Sequence, residues 1–235
     1  LGAQRAALVL LRGTETDGST YLTLTEAGML AKIGLNSHGF GVCLNILRSS
    51  DDGVTHGVPV HVLLRALLKR KGVADAARFA SQLSFGASSN ILCADAGGDT
   101  AALEFSPRGL DVVRGADAAL CHTNHFLAPE AAKHQASLAP SLSTYPRLER
   151  ITALTGGHRG KFSPDDLQRM LRDESAGLLS ICRRPDPSLP PEARVETVAS
   201  VVMDLGARVM QVAPDVPSLT QYAQVSLLGE AFAVV

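Results

Sequence analysis

The sequence of 235 residues lacks an excess of charge of either sign and lacks a long hydrophobic run. It has 22 basic and 23 acidic residues, a formal net charge of -1, and the two signs are interleaved along the chain. A nucleic-acid-binding domain usually carries a strong basic excess, so no nucleic-acid partner is expected. No apolar stretch approaches the ~20 residues of a membrane span, and no signal peptide is recognised, so no membrane association is expected.

Cysteine is scarce and is not arranged in pairs. The four cysteines are Cys43, Cys93, Cys121 and Cys182, and none belongs to a CxxC motif. Each lies in an apolar, strand-like run, where a free cysteine usually behaves as a small buried hydrophobic residue. This usage predicts a reducing, cytoplasmic location rather than a disulfide framework.

Motifs that bind the common cofactors are also missing from the sequence. There is no GxGxxG or Walker loop, and Ser88-Ser89-Asn90 lacks the GxSxG context of a hydrolase serine. His122 and His125 lie three residues apart beside Cys121, but no acidic or histidine cluster elsewhere completes a zinc site. We therefore expect no cofactor and no metal.

The period of the hydrophobic pattern changes along the chain. It predicts strands, two helices, strands, two helices and then strands. Apolar residues at helical spacing predict helices at residues 59–72, 73–83, 143–154 and 163–171. Apolar runs bounded by turn residues predict strands at residues 6–11, 21–25, 32–36, 41–47, 90–94, 100–105, 110–113, 118–123, 178–182, 197–203 and 208–212. Such grouping indicates helical layers that cover sheets. With no internal repeat or linker, residues 1–235 are predicted to form a single domain with a tail at 226–235.

The segment from Cys121 to Phe126 carries the most reactive group of side chains, at the end of a predicted strand. Adjacent residues on a strand point to opposite faces, so Cys121 and His122 are poorly placed to act as nucleophile and base. The amide NH2 of Asn124 can donate to a developing oxyanion. Capping of the following turn is the commoner role of such an asparagine, and the residues alone favour it.

Several short segments, in their order and spacing, form a combined pattern. They are residues 23–28 with 32–36, 41–45, 57–61 with 63–65, 88–90 with 94–95, 122–126, and 199–204. From near Ala6 to about Val225, the chain resembles the isopenicillin N acyltransferase family of autoproteolytic N-terminal-nucleophile acyltransferases and hydrolases. Bile salt hydrolases and penicillin V acylases are more distant relatives of that family.

The resemblance implies an α+β fold of the αββα type, two mainly antiparallel sheets between helical layers. It also implies a mechanism in which a precursor cleaves itself and leaves a cysteine at the new N-terminus. That thiol attacks an acyl carbonyl, and its own α-amino group, with a pKa near 8, serves as base. The implied partner is a small acyl substrate, such as an acyl-CoA or an acylated amine.

Residue by residue, the resemblance assigns four positions beyond the fold. Asn124 matches the oxyanion asparagine of the family's Thr-Asn motif, and Asn45 matches a second asparagine near the substrate in the bile salt hydrolase branch. Arg194 or Thr197 corresponds to polar residues at the far side of the site. His122 belongs to the same motif as Asn124 and is grouped with these substrate-binding candidates.

One departure from the family concerns the nucleophile. In the family, the cysteine and an Asn-Trp-Asp-type segment precede the first strand recognised here. We therefore expect an N-terminally truncated chain whose nucleophile is supplied by an upstream segment or a companion chain, or else a chain that self-associates. Two alternatives stay open: an inactive remnant that binds an acyl compound or a partner, and an unrelated scaffold. Failure of Asn45 and Asn124 to meet would favour the last.

Overall fold

The seven strands of the larger sheet follow one another in chain order as an antiparallel meander. The structure is a computed structural model and describes residues 7–115, 119–138, 143–158 and 161–229. Every strand of this sheet pairs with its neighbour in sequence, as short connections favour. The strands are β1 Leu8–Thr14, β2 Thr20–Glu26, β3 Ile33–Asn36, β4 Phe40–Ile46, β5 Ser89–Asp95, β6 Thr100–Ser106 and β7 Gly109–Val113.

Two helices, α1 Val60–Leu67 and α2 Val73–Ala80, cover one face of this sheet. Their buried side chains, among them Leu63, Leu64 and Ala76, pack against alternate strand residues such as Val42, Ile91 and Leu103. Side chains alternate between faces along a strand, so the residues between these point to the opposite side of the sheet.

That opposite face packs against a second, three-stranded antiparallel sheet with the order β10-β9-β8. Its strands are β8 Ser200–Asp204, β9 Val209–Ala213 and β10 Ala223–Ser226. Leu22, Leu24 and Leu35 of the large sheet form a buried cluster with Met210 and Leu227 from the small one. The two sheets therefore enclose a second buried hydrophobic cluster, separate from the one beneath α1 and α2.

Helices α4 Thr144–Gly156 and α5 Pro164–Leu171 complete the fourth layer on the far side of the small sheet. A short helix, α3 Pro129–Ala132, precedes them in the chain. Gln168 of α5 donates to Gln211, which lies on the outer face of β9. The αββα arrangement with two antiparallel sheets, expected from the sequence, is thus confirmed. Ser163 caps α5 through a capping box with Asp166, as its start signal predicts.

Two predicted strands are not strands in the structure. Residues 119–123 make no ladder, and the side chain of Thr123 donates to the carbonyl of Thr144 at the start of α4. Residues 178–182 contain the end of a 3-10 turn, Gly177–Leu179, closed by Ser180 Oγ, which accepts from the Ala176 N–H. Residue 118 lies outside the described residues.

The C-terminal end differs from expectation in one respect. Strand β10 was not predicted, and Leu227, inside the tail predicted at residues 226–235, is fully buried. Its N–H donates to the Arg208 carbonyl. Residues 230–235 of the predicted tail lie outside the described residues. Within the described parts of the chain, no helix has the length and apolar character needed to cross a membrane.

Helix α1 provides a matched test of the packing. Leu64 is completely buried against the large sheet, whereas Val62 on the same helix is 44% exposed. Leu64→Ala should lower the free energy of unfolding by about 2–5 kcal/mol, since it removes core methyl groups and leaves a cavity. Val62→Ala should change the free energy by less than ~1 kcal/mol. Urea unfolding followed by circular dichroism measures both, and equal effects would contradict the assigned packing.

Candidate active site

A cavity of about 340 Å³ lies within the layer of the small sheet, beside its edge strand β8. Cys43, Leu92 and Ala94 line it from the inner face of the large sheet. Helices α4 and α5 bound it on the opposite side, through residues such as Ile151 and Met170. The lining is almost entirely apolar. Next to it, on the same face of the large sheet, lies a narrow band of polar side chains.

That band is a row of polar residues across the three central strands. The antiparallel register places Asn45 opposite Asn90 and Asn90 opposite Glu104, and residues directly opposite share a face. Asn90 and Glu104 are 0% and 1% exposed. Asn90 Nδ2 donates to Asn45 Oδ1 at 3.0 Å, which leaves the NH2 group of Asn45 available as a donor.

The other asparagine, Asn124, reaches the same end of β4 from the segment that precedes α3. Its Nδ2 donates to the carbonyl of Ile46, the residue after Asn45, at 3.0 Å. Its Oδ1 accepts from Arg147 Nη2 at 2.8 Å. Because a guanidinium can only donate, this bond fixes which end of the amide is the oxygen. One N–H of Asn124 remains unused by these bonds.

The structure therefore brings together the two asparagines that the sequence singled out. Cys43, two residues before Asn45 on the same strand face, and His122, two residues before Asn124, both line the cavity. Failure of Asn45 and Asn124 to meet would have favoured the alternative of an unrelated scaffold, and both lie at the same end of β4. Their catalytic roles stay predictions.

His122 is completely buried and uses both ring nitrogens. Its Nε2 lies 2.7 Å from Glu104 Oε1, and its Nδ1 lies 2.7 Å from the carbonyl oxygen of Thr123. His125 is also buried, with Nδ1 2.8 Å from Thr144 Oγ1. Burial, together with the nearby His122, lowers the pKa of His125. The substrate-binding role predicted for His122 is not tested by these contacts.

Two arginines near Asn124 were missed by the sequence analysis. Burial, together with the charge of Arg183, lowers the pKa of Arg147 to about 10, and burial also lowers the pKa of Arg183. No short motif marks either residue. An arginine in a polar helix or loop is usually solvated, so only the tertiary packing shows that these two are half-buried beside the site.

The remaining candidates lie around the loop that leads to β8. Thr197 Oγ1 accepts from the N–H of Arg183, and the Thr197 N–H donates to the Arg183 carbonyl, both at 3.0 Å. Arg194 instead donates to the carbonyls of Leu189 and Pro187 in its own loop. Thr197 is thus joined to an arginine of the site, and Arg194 is not. Substrate binding by either residue stays a prediction.

The four cysteines are free thiols. Burial raises the pKa of Cys43 to about 11 and raises that of Cys93 further. Cys121 Sγ faces Thr155 Oγ1 at 3.7 Å, and Cys182 is 1% exposed. Among the described residues, no group of histidine, cysteine or acidic side chains could hold a metal ion.

Solved structures with this arrangement of layers are N-terminal-nucleophile hydrolases. A variant of conjugated bile acid hydrolase from Clostridium perfringens superimposes with a TM-score of 0.63 at 10% identity, covering 95% of this chain and 84% of that one. Penicillin V acylase from Agrobacterium tumefaciens gives a TM-score of 0.59 at 15% identity, covering 83% and 66%. At these identities the likeness establishes the fold, which is that of the N-terminal-nucleophile class.

Sequence comparison narrows the class to a family. Residues 5–218 match the family described as acyl-coenzyme A:6-aminopenicillanic acid acyl-transferase. The chain is 31% identical over 187 residues to the 40 kDa form of acyl-coenzyme A:6-aminopenicillanic-acid-acyltransferase from Emericella nidulans. This alignment covers 79% of the chain and 50% of that relative. The chain belongs to this acyltransferase family and spans about half the length of the curated relative, so the resemblance inferred from the motifs is confirmed.

Thiol reactivity tests the account of the cysteines. A pKa of about 11 leaves about one Cys43 thiol in a thousand ionised at pH 8, and the thiolate is the reactive form. In the folded chain, Cys43 and Cys93 should therefore react with iodoacetamide at least ~100-fold more slowly than in urea. Peptide mass spectrometry of timed samples gives each rate. Rapid alkylation of Cys43 at pH 8 would contradict its placement and make it a candidate nucleophile.

Proposed function

We propose that this chain forms the larger part of an acyltransferase or amidohydrolase whose cysteine nucleophile is supplied by a segment outside residues 1–235. The observation that carries the proposal is the position of the cavity. It lies in the plane of the small sheet, beside β8, and its wall residues Cys43 and His122 lie two residues before Asn45 and Asn124. A strand with an N-terminal cysteine would fill this space and present its thiol to both amides.

The edge of the small sheet supports this placement. Strand β8 pairs only with β9 within the described chain, so one side of Ser200–Asp204 offers unpaired N–H and C=O groups to another strand. The inner face of the large sheet continues past β8 as the apolar cavity wall formed by Cys43, Leu92 and Ala94. One or two further strands would satisfy both the backbone edge and the apolar wall.

The proposed chemistry follows from the amide donors. A thiolate at the start of the added strand attacks the acyl carbonyl carbon, the carbonyl oxygen becomes an oxyanion, and the free N–H of Asn124 donates to it. Such a preorganised donor is most effective in a site that excludes water. The leaving amine or thiol takes the proton that the α-amino group removed from the cysteine. Water or an amine then accepts the acyl group.

The surrounding residues support a small acyl substrate, namely an acyl-CoA or an acylated amine. The half-buried guanidinium groups of Arg147 and Arg183 give the polar end of the site a positive field, which suits an anionic group on the acyl donor or acceptor. The four free thiols support a reducing, cytoplasmic location.

A second candidate function is that of an inactive remnant that binds a partner or an acyl compound. The raised pKa values of Cys43 and Cys93 favour it, because neither of these two thiols is then activated as a nucleophile. Intact-mass measurement of the native protein separates the two functions. Detection of a companion polypeptide that begins with cysteine supports the enzyme. A native protein whose mass equals that of the 235 residues alone supports the remnant.

The chain of 235 residues alone should show no cysteine-dependent amidase or acyltransferase activity. It should gain activity when it is produced together with an upstream segment that carries the family's N-terminal cysteine. Hydrolysis of acyl-amides and of acyl-CoA thioesters measures both forms, and the cysteine-to-alanine version of the added segment is the control. Equal activity with and without the segment, abolished by replacing Cys43, Cys93, Cys121 or Cys182, would overturn the proposal.

Loss of the Asn124 donor should affect turnover more than folding. In the completed protein, Asn124→Ala should lower kcat by about 10²–10³-fold, since it removes one oxyanion donor. Gln224→Ala, on the exposed strand β10, is the matched control and should leave kcat unchanged. Steady-state kinetics and thermal unfolding are measured together. Wild-type kcat in a folded Asn124→Ala variant would refute the oxyanion role.

A further inference from the structure

The carboxylate of Glu104 is the most heavily bonded acidic group at the site. It is 1% exposed and accepts from the Leu127 N–H at 2.7 Å and the Ala128 N–H at 3.0 Å. Its Oε1 also lies 2.7 Å from His122 Nε2. The two ends of the segment 122–128 therefore converge on one side chain. Asn124, the proposed oxyanion donor, lies between those ends.

The hydrogen-bond pattern favours the ionised form of this carboxyl group. Both oxygens of Glu104 accept from backbone N–H groups, and such bonds stabilise the charged form. Burial raises the pKa of Glu104, but the bonds from His122, Ala128 and Leu127 outweigh it, and the pKa is lowered overall. Glu104 is thus an ionised carboxylate in the interior.

The imidazole of His122 also faces acceptors at both ring nitrogens. The Thr123 carbonyl oxygen 2.7 Å from His122 Nδ1 can only accept, so Nδ1 carries a proton. An ionised Glu104 can also only accept, and its contact of 2.7 Å with Nε2 suits a second N–H on the ring. Arg147 on α4 adds a positive charge near this segment. Glu104 is the acidic partner of His122 at this place.

We propose that Glu104 and His122 form a buried carboxylate–imidazolium pair that positions Asn124 for the reaction. The inference rests on the proposed function. Removing one partner from a buried ion pair leaves an uncompensated charge and is strongly destabilising to the local structure. In this protein the local structure that would be destabilised is the 122–128 segment, which contains Asn124. An oxyanion donor displaced by about an ångström loses much of its effect. Glu104 and His122 act through Asn124 and are positioning residues.

The protonation state of His122 can be measured by NMR spectroscopy without an activity assay. In the chain labelled with 15N histidine, both ring nitrogens of His122, assigned by comparison with His122→Gln, should resonate as protonated nitrogens at pH 7. In Glu104→Gln, His122 should lose its Nε2 proton and become neutral, because a neutral amide no longer holds the charge. A neutral His122 in the wild-type chain overturns the proposal, even if Glu104→Gln does not fold.

The catalytic consequence is tested in the completed protein. Glu104→Gln should lower kcat by about 10–100-fold, a smaller effect than removal of the Asn124 donor itself should have. KM should change by less than about 3-fold, because the substitution acts on the reaction rather than on substrate binding. Glu130→Gln, whose side chain is 80% exposed on the adjoining α3, is the control and should match wild type. Unchanged kcat in a folded Glu104→Gln variant overturns the positioning role. An inactive wild type would instead refute the proposed function and leave the histidine measurement decisive for the pair.

Discussion

The register between β4, β5 and β6 places Asn45, Asn90 and Glu104 in a row on one face of the large sheet. Buried polar groups must find partners, and this requirement organises the site. Asn90 bonds to Asn45, and Glu104 draws the two ends of the 122–128 segment onto the sheet. Asn124 is held above the end of β4 as a result. A shift of one residue in this register would turn the whole row toward α1 and α2.

The second constraint is the unequal size of the two sheets. Seven strands face three, so part of the inner face of the large sheet has no sheet opposite it. The small sheet covers Leu22, Leu24 and Leu35, and beyond β8 the layer continues as an apolar cavity. The polar row lies next to this space on the same sheet face. A single added strand would therefore both complete the core and reach the amide donors.

Local sequence signals predicted most strands, four of the five described helices and the capped start of α5, because hydrophobic period and turn chemistry are local. They failed at residues 119–123, which form no strand in the structure, and at residues 178–182, where a 3-10 turn begins the segment. Asn45 and Asn124 were found through the family resemblance. Glu104 and Arg147 were not, because nothing near them in sequence shows that packing buries their charges.

The central claim is that the nucleophile enters beside β8 and faces Asn124. A crystal structure of the completed protein, with its cysteine trapped as the adduct of an acyl aldehyde, tests this most directly. The account predicts that the added strand pairs with β8 and that the adduct oxygen lies about 2.7–3.1 Å from Asn124 Nδ2. A cysteine bound elsewhere on the molecule, or an adduct oxygen out of hydrogen-bond reach of Asn124, would contradict it.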